Sequence, residues 1–421
     1  MFTVFRNAWK IKEIRQRLLY MLFILLIVRL GTHIAVPGID LSDITAGNNP
    51  LGSFQDSVFA LITGGSFGTI FSMGIGPYIT ASIIMQLLTV AIPKLETLNK
   101  EGEEGRKKIN QATRVVSVAL AFLQGAGQIY SLRNYFAYQH FAVYAVALIT
   151  MVSGTIFVMW LGELLNERGI GNGSSFIIFA NILAGFPGNI YNVYLSAQSD
   201  DALAWAKMIV LAVLFVLVVG FVIFVQDGER HIPVQYSKKM VGRKMYGGQS
   251  TFIPIKVNIA GVMSIIFAIS LLQFPQTISQ LFQTPPAWLA TTVRILSISH
   301  PIGAVLYVIL IFCFTFFYTS FAFNPIEVAE NMKKNGGFIP GIRPGKTTSD
   351  FIKKVVDRIS LIGACFYAII AMIPVIFEWI FGIQVGFGGT TLLIVTGVAL
   401  EIVKQLESQL VMRHYKGFLN S

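Results

Sequence analysis

Between Gly52 and Leu88 the chain reads GSFQDSVFALITGGSFGTIFSMGIGPYITASIIMQLL, a stretch apolar enough to enter a bilayer and long enough to cross one. Its middle carries Gly64, Gly65, Gly68, Gly74, Gly76 and Pro77. In a helix interior glycine costs about 1 kcal/mol relative to alanine and proline about 3, so an unbroken helix is not expected. Broken backbone at membrane depth is tolerated only where protein buries it or where it lines a water-filled cavity. The segment therefore reads as part of a pore, or as its stopper.

The rest of the chain supplies the membrane context. Of 421 residues 54% are hydrophobic and 13% charged, a balance outside that of soluble domains, and the mean hydropathy is +0.67. Apolar runs fall near Leu18 to Val36, Ile75 to Ile92, Val115 to Leu132, Phe141 to Leu161 and Ser174 to Leu195. A second set falls near Leu203 to Val225, Val257 to Phe274, Ile302 to Phe323, Ile359 to Phe377 and Thr390 to Val403. Most approach the ~20 residues that cross ~30 Å of hydrocarbon, which predicts an all-α polytopic protein of ten transmembrane helices. The first run is too long for a cleaved signal peptide and lacks a small-residue cleavage site after it.

Charge sets the orientation. With the N-terminus inside, 28 of the 32 Lys and Arg fall on the cytoplasmic face, the exceptions being Arg29, Arg133, Lys207 and Arg294. Both termini are then cytoplasmic. The segment from Met1 to Tyr20, with Arg6, Lys10, Lys12, Arg15 and Arg17, is basic and amphipathic and suits an anionic lipid surface. The external linker 196–202 divides the spans five and five, into an N-terminal half 1–195 and a C-terminal half 203–421. An odd number of spans per half inverts the second half relative to the first, as in transporters built from inverted repeats. Two cytoplasmic loops, 226–256 and 324–354, are long and basic, either as topology determinants or as docking surfaces. The second contains PGIRPG, from Pro340 to Gly345, a stiff tip that presents Arg343.

Several apparent motifs carry no chemistry. The GKT at Gly345 to Thr347 lacks the upstream glycine and the strand of a phosphate-binding loop, and RGIGNGSS lacks dinucleotide spacing and reads as a turn into span five. The five histidines are scattered and show no metal-ligand spacing. Cys313 and Cys365 lie in predicted spans eight and nine and read as small apolar core residues. No catalytic constellation, metal site or cofactor is expected. The spans are nearly free of ionisable groups, which weighs against ion-coupled transport. Arg29 lies near the outer end of span one, where it can snorkel.

The strings GIGPYITASIIMQLL (Gly74 to Leu88), KEGEEGRKKINQATR (Lys100 to Arg114), MWLGELLNERGIGNGSS (Met159 to Ser175), KVNIAGV (Lys256 to Val262), FNP (Phe323 to Pro325), GFIPGIRPG (Gly337 to Gly345) and FGGTTLLI (Phe387 to Ile394) resemble the SecY family, pore subunits of the bacterial protein-conducting channel. They occur in order and cover nearly the whole chain. The resemblance implies a SecY/Sec61-alpha-like clamshell of two five-helix halves in the plasma membrane, conducting unfolded secretory polypeptides and releasing signal sequences sideways through a lateral gate. It places an apolar pore ring on Ile75, Ile79, Ile178, Ile182, Ile266 and Ile394. It places a plug at 54–72, with plug and hinge positions Phe54, Gly64, Gly65, Gly68 and Gly74. Gate positions fall on Gln86 and Asn258, and positions docking the motor or ribosome on Arg243 and Arg343. The implied partners are SecE-like and SecG-like small subunits, the SecA motor ATPase, the ribosome, signal peptides and nascent chains, besides anionic lipids. The chain departs from the family pattern in a shortened plug between Gly65 and Ile70, in Gly76, and in Ser264 where many relatives carry proline. The alternative is a small-solute secondary transporter with inverted repeats.

Overall fold

The structure is a computed structural model that describes residues 2–39, 68–198, 203–236, 239–241, 244–246, 250–279, 282, 285–381 and 389–419. Each apolar run of the sequence falls on a helix. In chain order these are α1 (Phe2–Lys10), α2 (Lys12–Gly31), α3 (Gly76–Ala91), α4 (Pro93–Lys100), α5 (Glu103–Ser131), α6 (Phe141–Arg168), α7 (Gly173–Gln198) and α8 (Leu203–Gln226). The series continues with α9 (Met263–Ser279), α10 (Ala287–Leu296), α11 (Pro301–Ala322), α12 (Pro325–Lys334), α13 (Lys346–Phe381) and α14 (Gly389–Leu419). By length and composition, Phe141–Arg168, Pro301–Lys334 and Lys346–Ile376 are long and apolar enough to cross a membrane. α3 and α4 meet that test together, bent by 100° where Pro93 follows Ile92.

Sequence chemistry explains where helices start. His300 and Asn324 each precede a proline at the first helical turn, where the missing N–H is not needed. The His300 Nδ1 accepts from Ile302 N at 3.3 Å, and the Asn324 Oδ1 accepts from Ile326 N and Glu327 N at 3.2 and 3.4 Å. The FNP string is thus a helix cap followed by a preset turn. Asn172 plays the same part for α7: its Oδ1 accepts from Ser174 N and Ser175 N, while Asn166 Oδ1 takes Gly173 N at 2.7 Å. The RGIGNGSS string is the tight turn its composition predicts.

The all-α expectation needs one correction. The loop after α8 contains strands β1 (Glu229–Tyr236), β2 (Lys239–Val241), β3 (Lys244–Tyr246) and β4 (Ser250–Lys256), and the loop after α12 contains β5 (Gly337–Phe338). β1 is the middle strand of an antiparallel sheet ordered β4, β1, β5. It pairs Glu229 with Lys256 at one end of β4, and Gln235 with Phe338 on β5. Alternation drives it: Ile232 and Val234 point inward while their neighbours are exposed. Hydropathy along the chain shows only a charged loop, because half of each strand faces water.

The chain forms two compact units, one of residues 1–208, 272–295 and 383–421, the other of residues 209–271 and 296–382. In the first, Val36, Ile39, Met73, Ala121, Ile129, Leu132, Phe136, Ala147, Met151 and Val152 make a shared core, with Tyr144 edge-on to Phe136 at 5.0 Å. α7 packs against α6, α2 and α14, and α1 against α2 and α14. In the second, the sheet residues Ile232, Val234 and Ile255 pack on Met332 of α12 and on Ile352, Val356 and Ile359 of α13. α13 also packs along α11, and Phe267 stands edge-on to Phe314 at 5.7 Å. Cys313 and Cys365 are free and exposed, which corrects their assignment to the core. The runs that carry them, Ile302 to Phe323 and Ile359 to Phe377, are apolar on every side, so hydropathy does not separate an inward from an outward face.

Candidate functional site

The interrupted span is built as a clamp followed by a helix. After α2 the backbone of residues 34–36 pairs with residues 68–70: Val36 N donates to Gly68 O at 2.9 Å, Ile70 N to Ile34 O at 3.0 Å, and Ala35 bridges Thr69. Three tight turns then follow in succession, Ser72 N to Thr69 O, Gly74 N to Phe71 O and Gly76 N to Met73 O. Gly68 at φ 74° and Gly74 at φ 50° take left-handed backbone that side chains resist. α3 opens at Gly76 with Pro77 in its first turn.

Side chains of this segment seat in glycines of the surrounding helices. A Cβ on Gly31 of α2 would overlap the Phe71 ring, and one on Gly154 of α6 would overlap the Ile70 carbonyl oxygen. At Gly125 of α5 it would meet Met73 Cε at 3.4 Å, and at Gly162 of α6 the Ile75 Cδ1 at 3.3 Å. Phe71 also stacks on Phe157 at 6.0 Å, and Ser72 Oγ donates to Gln128 Oε1 at 3.1 Å. Small residues in a span allow close backbone approach, so glycines on one face of an apolar helix are the signal that would have found these seats.

The residues singled out from sequence are distributed as follows. Phe54, Gly64, Gly65 and Arg243 lie outside the described residues. Ile75, Ile178, Ile182, Ile266 and Ile394 are buried and Ile79 is half-buried. The α3, α7 and α14 positions belong to the first unit and Ile266 to the second. Gln86 Nε2 donates to Ser82 Oγ at 3.2 Å, while its Oε1 is enclosed without a hydrogen-bond partner among the described residues. Asn258 Oδ1 is enclosed in the same way, as is Ser264 Oγ. An enclosed polar atom without a partner forfeits about 1–3 kcal/mol, so these three positions carry polar groups at a cost to stability.

Sequence reasoning missed two long-range polar links. Arg114 Nε donates to Glu163 Oε1 at 2.8 Å, tying α5 to α6. Arg29 does not simply snorkel: its Nη2 donates to Ala180 O and Asn181 O of α7 at 3.1 and 3.2 Å.

On the second unit the two long loops become one surface. The β5 strand that pairs with β1 leads into PGIRPG, where Ile342 N donates to Ile339 O at 3.1 Å and Thr348 Oγ1 to Arg343 O at 2.9 Å. Ile339 and Ile342 pack into the sheet core, so the turn is pinned from beneath. The Arg343 side chain is exposed, as are Arg230, Lys333, Lys334 and Lys346.

The fold is shared with solved channel structures. A solved structure described as a protein conducting channel matches with a TM-score of 0.63 at 20% identity, over 92% of this chain and 91% of that one. Sec61 in the canine ribosome-channel complex from the endoplasmic reticulum matches with a TM-score of 0.59 at 19% identity, over the same shares. The SecY family profile matches residues 69–403, and the protein translocase subunit SecY of Streptomyces coelicolor is 43% identical over the full length of both chains. The chain belongs to the SecY family. It is a multi-pass membrane protein and a channel subunit of a protein translocase, which sets aside the small-solute transporter reading.

Proposed function

We propose that the chain forms the pore of a bacterial plasma-membrane translocase, crossing the membrane ten times in two inverted five-helix halves, 1–195 and 203–421, with both termini cytoplasmic. The observation that carries this reading is the interrupted second span: an apolar segment at membrane depth that turns three times before α3 begins has no use in a plain helix bundle. Residues 54–72 act as the plug, and Gly68 and Gly74 shape the passage from plug to gate helix. Ile75, Ile79, Ile178, Ile182, Ile266 and Ile394 form the constriction. An apolar ring dewets and blocks ions, yet offers a sliding polypeptide no strong binding site.

Gln86 and Asn258 mark the two sides of a lateral gate through which signal sequences and membrane segments leave. Their enclosed, unpartnered oxygens support this, since a seam that opens has less to lose when its polar groups are poorly bonded. Arg343 docks the SecA motor or the translating ribosome from a pinned turn, and Arg243 acts from the neighbouring loop. Fixed presentation of a cation reduces the ordering cost of binding. SecE-like and SecG-like subunits accompany the chain, anionic lipid meets the basic face of α1, and energy comes from the partners, so the chain needs no catalytic residue of its own. Depletion of the protein in its host, followed by pulse-labelling of secretory precursors and membrane proteins, tests the reading. Precursors should accumulate unprocessed; undiminished export and insertion would refute it.

A further inference from the structure

Arg29 is the lone Lys or Arg between Arg17 and Lys94, and it sits in the last turn of an apolar helix. A cation at membrane depth is costly to keep, and what it binds states its use. Its two acceptors, Ala180 O and Asn181 O, lie in α7 between Ile178 and Ile182. Both carbonyls belong to a helical turn, so the arginine takes their second lone pairs and is not needed to satisfy α7. The arginine is itself held: Thr32 Oγ1 donates to Arg29 O at 2.8 Å, and His33 Nδ1 lies 2.9 Å from the same oxygen. A carbonyl only accepts, so His33 carries its proton on Nδ1.

Beyond this contact α7 contains Pro187, which offers no N–H to the turn below and loosens the helix there. The brace therefore grips α7 just before its weakest turn. We propose that Arg29 is a positioning residue that fixes the Ile178 to Ile182 turn of α7 and thereby sets how tightly the resting channel seals. This rests on the reading of Ile178 and Ile182 as part of the constriction.

The test compares R29M, R29K and I182N in the complete translocase, reconstituted into vesicles for ion leak and expressed in cells for export of a precursor with a defective signal sequence. R29M should raise the resting leak several-fold and admit the defective precursor. R29K should fall between it and the parent, because one ammonium cannot grip both carbonyls in the same geometry. The thermal midpoint of R29M should not drop, since no backbone acceptor loses its helical donor. A leaky I182N beside a tight R29M would overturn the positioning role alone. Tight behaviour of both would overturn the ring reading and the proposal with it. If R29M fails to accumulate, R29K decides: a lowered midpoint with unchanged leak makes Arg29 a folding element only, and a raised leak sustains the proposal.

Discussion

The Phe71 ring occupies the space that a side chain at Gly31 would need, so the end of α2 and the turn before α3 share one volume. Together with the backbone pairing of residues 34–36 to 68–70, this anchors the chain from Gly68 onward. Gly74, which the family resemblance marks as a plug and hinge position, sits within that anchored stretch at φ 50° and shapes a turn.

The glycine seats differ in how much they can give. Gly154→Ala would press a methyl group on the Ile70 backbone, and overpacking of this kind costs about 1–3 kcal/mol. Gly125→Ala meets only side-chain ends that can give, Leu148 Cδ1 at 3.0 Å and Met73 Cε at 3.4 Å, and the helix gain of about 1 kcal/mol should leave it near neutral. Thermal unfolding in detergent should show a lowered midpoint for the first variant only.

Because β1 is the central strand, damage to it should reach both loops. Val234→Asp puts a carboxylate in the sheet core. Hydrogen exchange should then lose protection in Ser250–Lys256 and in Gly337–Phe338, although the two strands are far apart in sequence. Loss confined to β4 would contradict the shared sheet.

Arg343→Glu reverses an exposed charge on a turn held by its own backbone. Like charges brought together at an interface cost several kcal/mol, so motor-driven translocation should slow by roughly an order of magnitude or more while membrane insertion of the channel is unchanged. Export rates in vesicles with purified motor check this, and normal rates would remove Arg343 from the docking surface.

Ile394→Asn places an amide in a fully enclosed apolar site on α14. A wetted constriction conducts, so the resting ion leak should rise and discrimination against defective signal sequences should fall. A lowered thermal midpoint without either change would mark Ile394 as core.

How much of this was legible along the chain follows from what each signal depends on. Apolar runs marked α2, α3, α5 to α9, α11, α13 and α14, because the length and hydropathy of a segment are properties of its own residues, whereas the short apolar helix α10 went unmarked. Helix starts at Pro301 and Pro325 were equally local, each a proline behind a capping side chain. The sheet was not legible, because β1 meets β5 from a loop about a hundred residues away and its alternation spans only Ile232 and Val234. The seats in Gly31, Gly125, Gly154 and Gly162 were hidden among 38 glycines, most of which look alike in sequence.

The sequence by itself determined that this is a multi-pass helical membrane protein of the SecY family with an interrupted apolar segment and basic loops, since hydropathy, helix breakers and motif strings act through neighbours in the chain. Only the tertiary structure decided which glycine is a turn and which a seat, that Arg29 braces α7, and that two separate loops present Arg343 from one sheet. Those relationships join residues distant in sequence, and which face of a helix meets which partner is settled by packing.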